Sequence, residues 1–172
     1  MTSDKVFLGI GSSLGDRLGN LKYAMVRLLS LQPELVVTGC SSVYESPHMG
    51  VSEEDSLIYP AHLNAVVRVE TDIRPEALLD ELHSIENGAG RTRTEHWAPR
   101  TLDIDILAYG NRKISTDRLT IPHPGICARS FVIVPLEELG DLVPVTNLIG
   151  GCRDTVECHR IVRVVSANEL YL

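Results

Sequence analysis

Residues 62–70 read HLNAVVRVE. In an extended chain Leu63, Ala65, Val67 and Val69 fall on one side, and His62, Asn64, Arg68 and Glu70 on the other. That alternation predicts a strand with one apolar face turned to a core. Upstream, residues 5–11, KVFLGIG, read as a buried strand, followed by the turn GSSLGDR. Leu21, Ala24, Met25, Leu28 and Leu29 then recur at helical spacing, which predicts an amphipathic helix over about 17–31, stopped at Gln32-Pro33. Residues 35–45, LVVTGCSSVYE, are β-rich.

Downstream of 62–70, Pro75 suits a first helical turn, and Leu78, Leu82 and Ile85 form a stripe ending near Gly88. Residues 101–109 read as another strand, and a short helix is expected from about Arg129, with Pro135 bearing on its extent. The order β-α-β-β-α-β is that of the ferredoxin-like sandwich, an α+β fold with helices packed on an antiparallel-rich sheet. Two helices on one face leave the other face, or the rim, to carry a site. The fold does not choose the chemistry.

The 172 residues suit one domain, able to bury about 70% of its unfolded surface. Apolar residues make up 44%, which excludes wholesale disorder. No apolar run approaches the roughly 18 residues of a membrane span. MTSDKVFLGIGSS reads as a first strand and not a signal peptide, so a cytoplasmic protein is expected. Cys40, Cys127, Cys152 and Cys158 have no CxxC spacing. They read as scattered thiols; a metal site in CRDTVECH is the weaker alternative. The net charge of −7 argues against a general nucleic-acid binder. The charge is sorted along the chain, however. Residues 45–87 hold ten acidic and two basic side chains, and residues 88–130 hold seven basic and four acidic.

The basic stretch brackets HWAPRTLDIDIL, residues 96–107. Asp103 and Asp105, two apart in a strand, share a face, while Leu102, Ile104 and Ile106 take the core side. Two adjacent carboxylates repel and resist desolvation. A divalent cation relieves both costs, and magnesium commonly binds one or two carboxylates while holding substrate phosphates. A DxD pair alone is more often a solvated strand face. The arginines shift the balance: Arg91, Arg93 and Arg100 precede the pair, and Arg118, His123 and Arg129 follow it. Guanidinium groups fork onto phosphate oxygens. Acids for metal and arginines for polyphosphate are what phosphoryl transfer requires. GIGSSLG is neither GxxxxGK[ST] nor GxGxxG, so its glycines are read as shaping a turn beside the sheet.

The stretch His96–Leu107 resembles the signature of the 6-hydroxymethyl-7,8-dihydropterin pyrophosphokinases of folate biosynthesis. GIGSSLGDR, SSVYESPHMG, HLNAV, SIENGAGR, LTIPHP and ARSF extend the resemblance over about residues 5–145. It implies a ferredoxin-like enzyme that transfers the β,γ-pyrophosphoryl group of ATP to the pterin hydroxymethyl, leaving AMP. By position, Asp103 and Asp105 would bind two magnesium ions. Arg91, Arg100, His123 and Arg129 would grip phosphates, and Arg93, Ile106, Arg118 and Thr120 would help seat the nucleotide. Asn64 would hydrogen-bond the pterin amide edge, Phe131 would stack on its ring and Trp97 would close over it. Ser46, Pro47, Met49 and His62 would complete the pterin pocket, and Glu86 matches an acid near the site. Loops at about 46–61 and 88–99 would be mobile and close over substrates.

The chain departs from the family's pattern in places. His62 stands where an aromatic residue is usual, His83 where a polar amide is common, and Thr94 where a basic residue is. The arginine loop is one residue shorter and the first loop is longer and more acidic. Residues 146–172 match nothing in the resemblance and are expected to be an extension of a single 1–172 domain. Other folate-pathway enzymes are possible partners. Two rivals stay open: a non-catalytic ferredoxin-like binding domain, and a DxD nucleotidyl or glycosyl transferase releasing pyrophosphate or a nucleoside diphosphate.

Overall fold

The computed structural model describes residues 3–48, 59–90, 100–148, 150 and 161–170. The central strand is the one the alternation predicted, running His62–Thr71 as β4, after β1 (Asp4–Ser12), β2 (Leu35–Cys40) and β3 (Val43–Ser46). β1 lies antiparallel on one side of it and antiparallel to β5 (Asp103–Tyr109) on its own far side. β2 and β3 share the other side of β4, also antiparallel.

The single β-rich stretch expected over 35–45 is therefore two strands. Cys40 faces Val67 but Tyr44 faces Asn64, so the edge carries one extra residue at the Ser41-Ser42 break. The break is satisfied by hydroxyls. Ser41 Oγ accepts from Val66 N at 2.9 Å, and Ser42 N and Oγ donate to Glu138 at 2.9 and 2.7 Å.

Helix α1 (Arg17–Leu29) begins at Asp16, whose carboxylate accepts from Gly19 N at 3.0 Å. Helix α2 (Pro75–Gly88) starts on its proline. Both bury the stripes that predicted them: Leu21, Ala24, Met25 and Leu28 meet Leu78, Leu82 and Ile85, and Val6, Leu8, Ile10, Leu63, Ala65, Val67 and Val69 from the sheet. Fully burying such an aliphatic side chain contributes about 1.5–3 kcal/mol.

The opposite face is not left open throughout. A short hairpin of β6 (Ile114–Ser115) and β7 (Thr120–Ile121) leads to α3 (Ser130–Glu138), which continues through Pro135, and to α4 (Leu142–Leu148). A second, smaller core of Phe7, Val66, Leu107, Ala108, Ile126, Val132, Leu136 and Val145 forms beneath them. Asp141 ties this layer down, pairing with Arg68 at 2.7 Å and Lys5 at 3.4 Å. So α3 covers one end of the face and leaves the other end to a cavity.

The 146–172 extension also joins the fold. β8 (Val162–Val165) pairs with β3, and Leu170 of α5 (Ala167–Leu170) enters the main core. Cys40 is a free, buried thiol; Cys127 is disulfide-bonded, against the expectation of scattered thiols. Among the described residues no helix is long and apolar enough to cross a membrane. The loops expected at 46–61 and 88–99 lie mostly outside the described residues.

Candidate active site

The cavity, about 270 Å³, sits over β1. Gly9 and Gly11, in the strand expected over 5–11, face the cavity rather than shaping a turn beside the sheet. Register places them in two rows across the sheet: Asp103 beside Gly11 beside Asn64, and Asp105 beside Gly9 beside Val66. The missing side chains make a trough between β5 and β4. The close approach is tight at Gly11, where a Cβ would stand 2.9 Å from Asn64 Oδ1.

One bank of the trough is charged. Asp103 and Asp105 are a third or slightly more exposed, at 33% and 38% of their side chains. Arg100 Nη1 lies 2.8 Å from Asp103 Oδ1; Arg129 Nη1 and His123 Nε2 lie 3.5 and 3.9 Å from Asp105 Oδ2. Burial and the neighbouring Asp103 charge push the Asp105 carboxyl above its usual range, against the pull of His123, Arg129 and Arg100. Burial, helped by Arg129, pushes His123 below its ordinary value, with Asp105 and Asp103 opposing. His123 Nδ1 accepts from Gly125 N at 3.0 Å, so the neutral ring carries its proton on Nε2, toward Asp105.

The other bank is polar and uncharged. Asn64, 8% exposed, donates to Ser46 Oγ at 3.0 Å. His62 stands two residues away, 2.8 Å from His48 Nδ1 through its Nε2. Burial first, then the neighbouring His48, push His62 down to about 4; Arg17 and Arg100 act the same way and Asp103 opposes them. Phe131, at the mouth of α3, has the Arg129 guanidinium 5.9 Å from its ring centre.

Of the residues expected at the site, Ser46, Pro47, His62, Asn64, Arg100, Asp103, Asp105, His123, Arg129 and Phe131 all line the cavity. Met49, Arg91, Arg93 and Trp97 lie outside the described residues. Ile106, Arg118 and Thr120 do not line it. Ile106 is 3% exposed in the main core, on the face its place between the outward-facing positions of β5 requires. Arg118 pairs with Asp80 of α2, and Thr120 is exposed in β7. Glu86 is 1% exposed and does not line the cavity either; its Oε1 accepts at 2.8 Å from Ile104 N, between the two aspartates, and so pins β5 to α2.

Sequence reasoning passed over the residues that position the others. Ser13 Oγ accepts from Arg100 N at 2.9 Å and Ser13 N donates to Arg100 O at 3.0 Å, while Ser12 Oγ donates to Thr101 O at 2.6 Å. These bonds hold the start of β5, and with it Arg100, against the end of β1. Gly125 has no room for a side chain, since a Cβ would lie 2.8 Å from Arg129 Nε and 3.0 Å from His123 Cε1.

The 7,8-dihydro-6-hydroxymethylpterin-pyrophosphokinase family model matches residues 7–141. The 2-amino-4-hydroxy-6-hydroxymethyldihydropteridine pyrophosphokinase of Haemophilus influenzae is 39% identical over 160 residues, 92% of this chain and 96% of the relative. That coverage leaves fewer residues unmatched than 146–172 contains, so the extension expected to match nothing is shared in part. The Bacillus subtilis protein of the same name is 38% identical over 133 residues, 77% of this chain and 76% of the relative. The bifunctional protein FolKE of Lactococcus lactis is 38% identical, but the chain spans only 36% of it. Among solved structures, an HPPK-DHPS protein in complex with substrates matches 99% of this chain at TM-score 0.60 and 13% identity, a likeness of fold alone; the chain spans 43% of that protein. Matches that run through both banks of the trough, at this identity and over nearly all of a relative's length, make the chain a member of the 7,8-dihydro-6-hydroxymethylpterin-pyrophosphokinase family, diphosphotransferases of folate synthesis.

Proposed function

We propose that the chain transfers the β,γ-pyrophosphoryl group of ATP to the hydroxymethyl oxygen of 6-hydroxymethyl-7,8-dihydropterin, with magnesium, giving AMP and the pterin diphosphate. The observation that carries this reading is the row Asp103, Gly11, Asn64. It sets a carboxylate suited to a metal and an amide suited to a pterin edge across a floor with no side chain at Gly11. The strand order β5-β1-β4-β3, antiparallel throughout, supports the ferredoxin-like reading of the fold.

The donor set fits magnesium. Two partly exposed carboxylates on adjacent outward positions are hard oxygen ligands, and the raised Asp105 value expresses burial first and repulsion from Asp103 second, both of which a cation would relieve. Among the described residues no third His, Cys, Asp or Glu joins them, which leaves room for phosphate oxygens and water as the remaining ligands. Two magnesium ions held there would screen the polyphosphate and acidify the attacking hydroxyl.

Arg100 and Arg129 neutralise the aspartates in the free protein. With a cation held by Asp103 and Asp105, both guanidiniums would be available to phosphate oxygens, and His123 Nε2–H would be a third donor beside them. Arg91 and Arg93 add charge from the neighbouring stretch, and Arg118 and Thr120 would sit at the nucleotide's outer edge. Asn64 and Ser46 fix the pterin, with Phe131 against its ring, so that the hydroxymethyl oxygen bonds to the β-phosphorus. The bond from that phosphorus to the α,β-bridging oxygen breaks, AMP departs with that oxygen, and the hydroxyl proton leaves to solvent. Fused relatives such as FolKE support association with other folate enzymes, and the cytoplasmic location expected from the sequence is part of this reading.

The test is product identity. ATP, magnesium and the reduced pterin together should give AMP, and omission of either magnesium or the pterin should give none. ADP as product, or no turnover with any pterin, would overturn the proposal. Asp103→Ala should remain folded and lose on the order of a thousandfold in rate.

A further inference from the structure

The bank that carries Asn64 holds a second polar pair, not foreshadowed by the sequence. β3 and the residues after it reach across to β4 twice: Ser46 to Asn64 at 3.0 Å, and His48 Nδ1 to His62 Nε2 at 2.8 Å. His48 also stacks on Tyr59, with ring centres 4.9 Å apart and planes 21° apart, and both imidazoles line the cavity.

Two ring nitrogens at 2.8 Å share one proton, because two lone pairs there would repel and two N–H groups would collide. The tautomer of one neutral ring therefore dictates that of the other. If His62 Nε2 holds the proton, His62 Nδ1 is an acceptor and His48 Nε2 a donor. If His48 Nδ1 holds it, both roles reverse. The outer nitrogens always present one donor and one acceptor, and among the described residues neither has a hydrogen-bond partner. The edge of a pterin alternates donors and acceptors in the same way.

We propose that His48 is a positioning residue for the pterin: by sharing one proton with His62 it gives the pocket wall a matched donor and acceptor that exchange roles together. This rests on the pterin reading above. It accounts for an imidazole at position 62, which on its own would stack less well than an aromatic ring. The low value of His62 agrees with a ring kept neutral for this purpose.

The experiment separates the hydrogen bond from the stacking. His48→Phe keeps a ring against Tyr59 and loses the shared proton; His48→Asn keeps a polar atom near Nδ1 and loses the stacking. Steady-state kinetics should give His48→Phe a pterin KM raised roughly fivefold to tenfold, the worth of one hydrogen bond, with the ATP KM unchanged. His48→Asn has no second ring nitrogen to present or to relay the proton, so it should raise the pterin KM by a similar factor. The double variant His48→Phe/His62→Phe should be no worse than the worse single variant, since losing either partner ends the coupling. An unchanged pterin KM in either position-48 variant, or additive losses in the double variant, would overturn the coupled pair. A wild-type protein that forms no AMP with reduced pterin would overturn the function itself, and the pair with it.

Discussion

Gly11→Ala tests whether the trough is what makes the site. The strand backbone at Gly11 lies outside the left-handed region, so alanine fits the conformation; what it meets is Asn64 Oδ1 at 2.9 Å, half an ångström inside the 3.4 Å at which ordinary contact begins. Asn64 is 8% exposed and tethered to Ser46, so the amide turns or shifts rather than swinging clear. Stability should change little. Replacing glycine stabilises by about 0.4–1 kcal/mol through the unfolded chain, which offsets much of the overlap. Recognition should suffer far more, because a displaced Asn64 leaves its substrate partners unpaired, at about 1–3 kcal/mol. That corresponds to a rise of roughly 5- to 150-fold in the KM for the reduced pterin. The nucleotide KM should hold, since Arg100, His123 and Arg129 are on the other bank. Steady-state kinetics with each substrate varied in turn, beside a thermal melt, reads all three quantities. An unchanged pterin KM, or equal losses for both substrates, would refute the reasoning.

Asp105→Asn should raise the melting temperature of the metal-free protein. The Asp105 carboxyl sits above its ordinary value, so stability falls as the pH rises from the ordinary value through the raised one, and the amide removes the cost. The same variant should lose the stabilisation that magnesium and ATP give the wild type in a thermal shift assay; a lower metal-free melting temperature would count against the assigned repulsion. Gly125→Ala should raise the ATP KM by displacing Arg129 and His123 while leaving the pterin KM in place, and a wild-type ATP KM would show that the two cations do not depend on that close approach. His62 titrates near 4 in the folded chain and near 6.5 when unfolded, so stability drains as the pH falls from 6.5 to 4. Melts of His62→Phe over that window should fall less steeply than those of wild type, and parallel curves would remove His62 as a source of the acid sensitivity.

The elements were legible where packing repeats at a period. β4 alternates, α1 and α2 carry stripes, and all three bury the residues that announced them except Leu29, which stays half-buried. The limits of that reading are physical. The 35–45 stretch is β-rich on both sides of Ser41-Ser42, and the serines do not by themselves reveal that one residue bulges there or that Glu138, nearly a hundred residues on, takes up the hydroxyl and amide of Ser42. Val66 sits among the polar positions of β4 yet is fully buried, because α3 arrives from far along the chain to build a second core there. Of the site residues announced by their charge, Arg100, Asp103, Asp105, His123 and Arg129 come together, Arg118 pairs with Asp80 instead, and Arg91 and Arg93 lie outside the described residues; those that act by being small were not recognised. Gly9, Gly11 and Gly125 are informative only once their neighbours are known, and Ser12 and Ser13 only once the backbone of Arg100 is beside them.

On the proposed reading, the trough would let one strand serve two unlike substrates. β1 contributes no side chain to the floor at Gly9 and Gly11, so the banks are set by its neighbours on either side. β5 brings carboxylates, pinned by Glu86 at Ile104 N and approached by cations from both ends of the strand. β4 brings an amide and an imidazole, the first held by Ser46 at the end of β3 and the second by His48 just past it. A polyphosphate needs the first set and a neutral heterocycle the second. Adjacent strands lie about 4.8 Å apart, so substrates resting on opposite banks would have their reacting atoms over the glycines between them. Holding two reactants that close is itself a large part of catalysis for a reaction governed by positioning and charge. A side chain at either glycine would stand in the path along which the hydroxymethyl oxygen meets phosphorus, which is why the floor has to be bare.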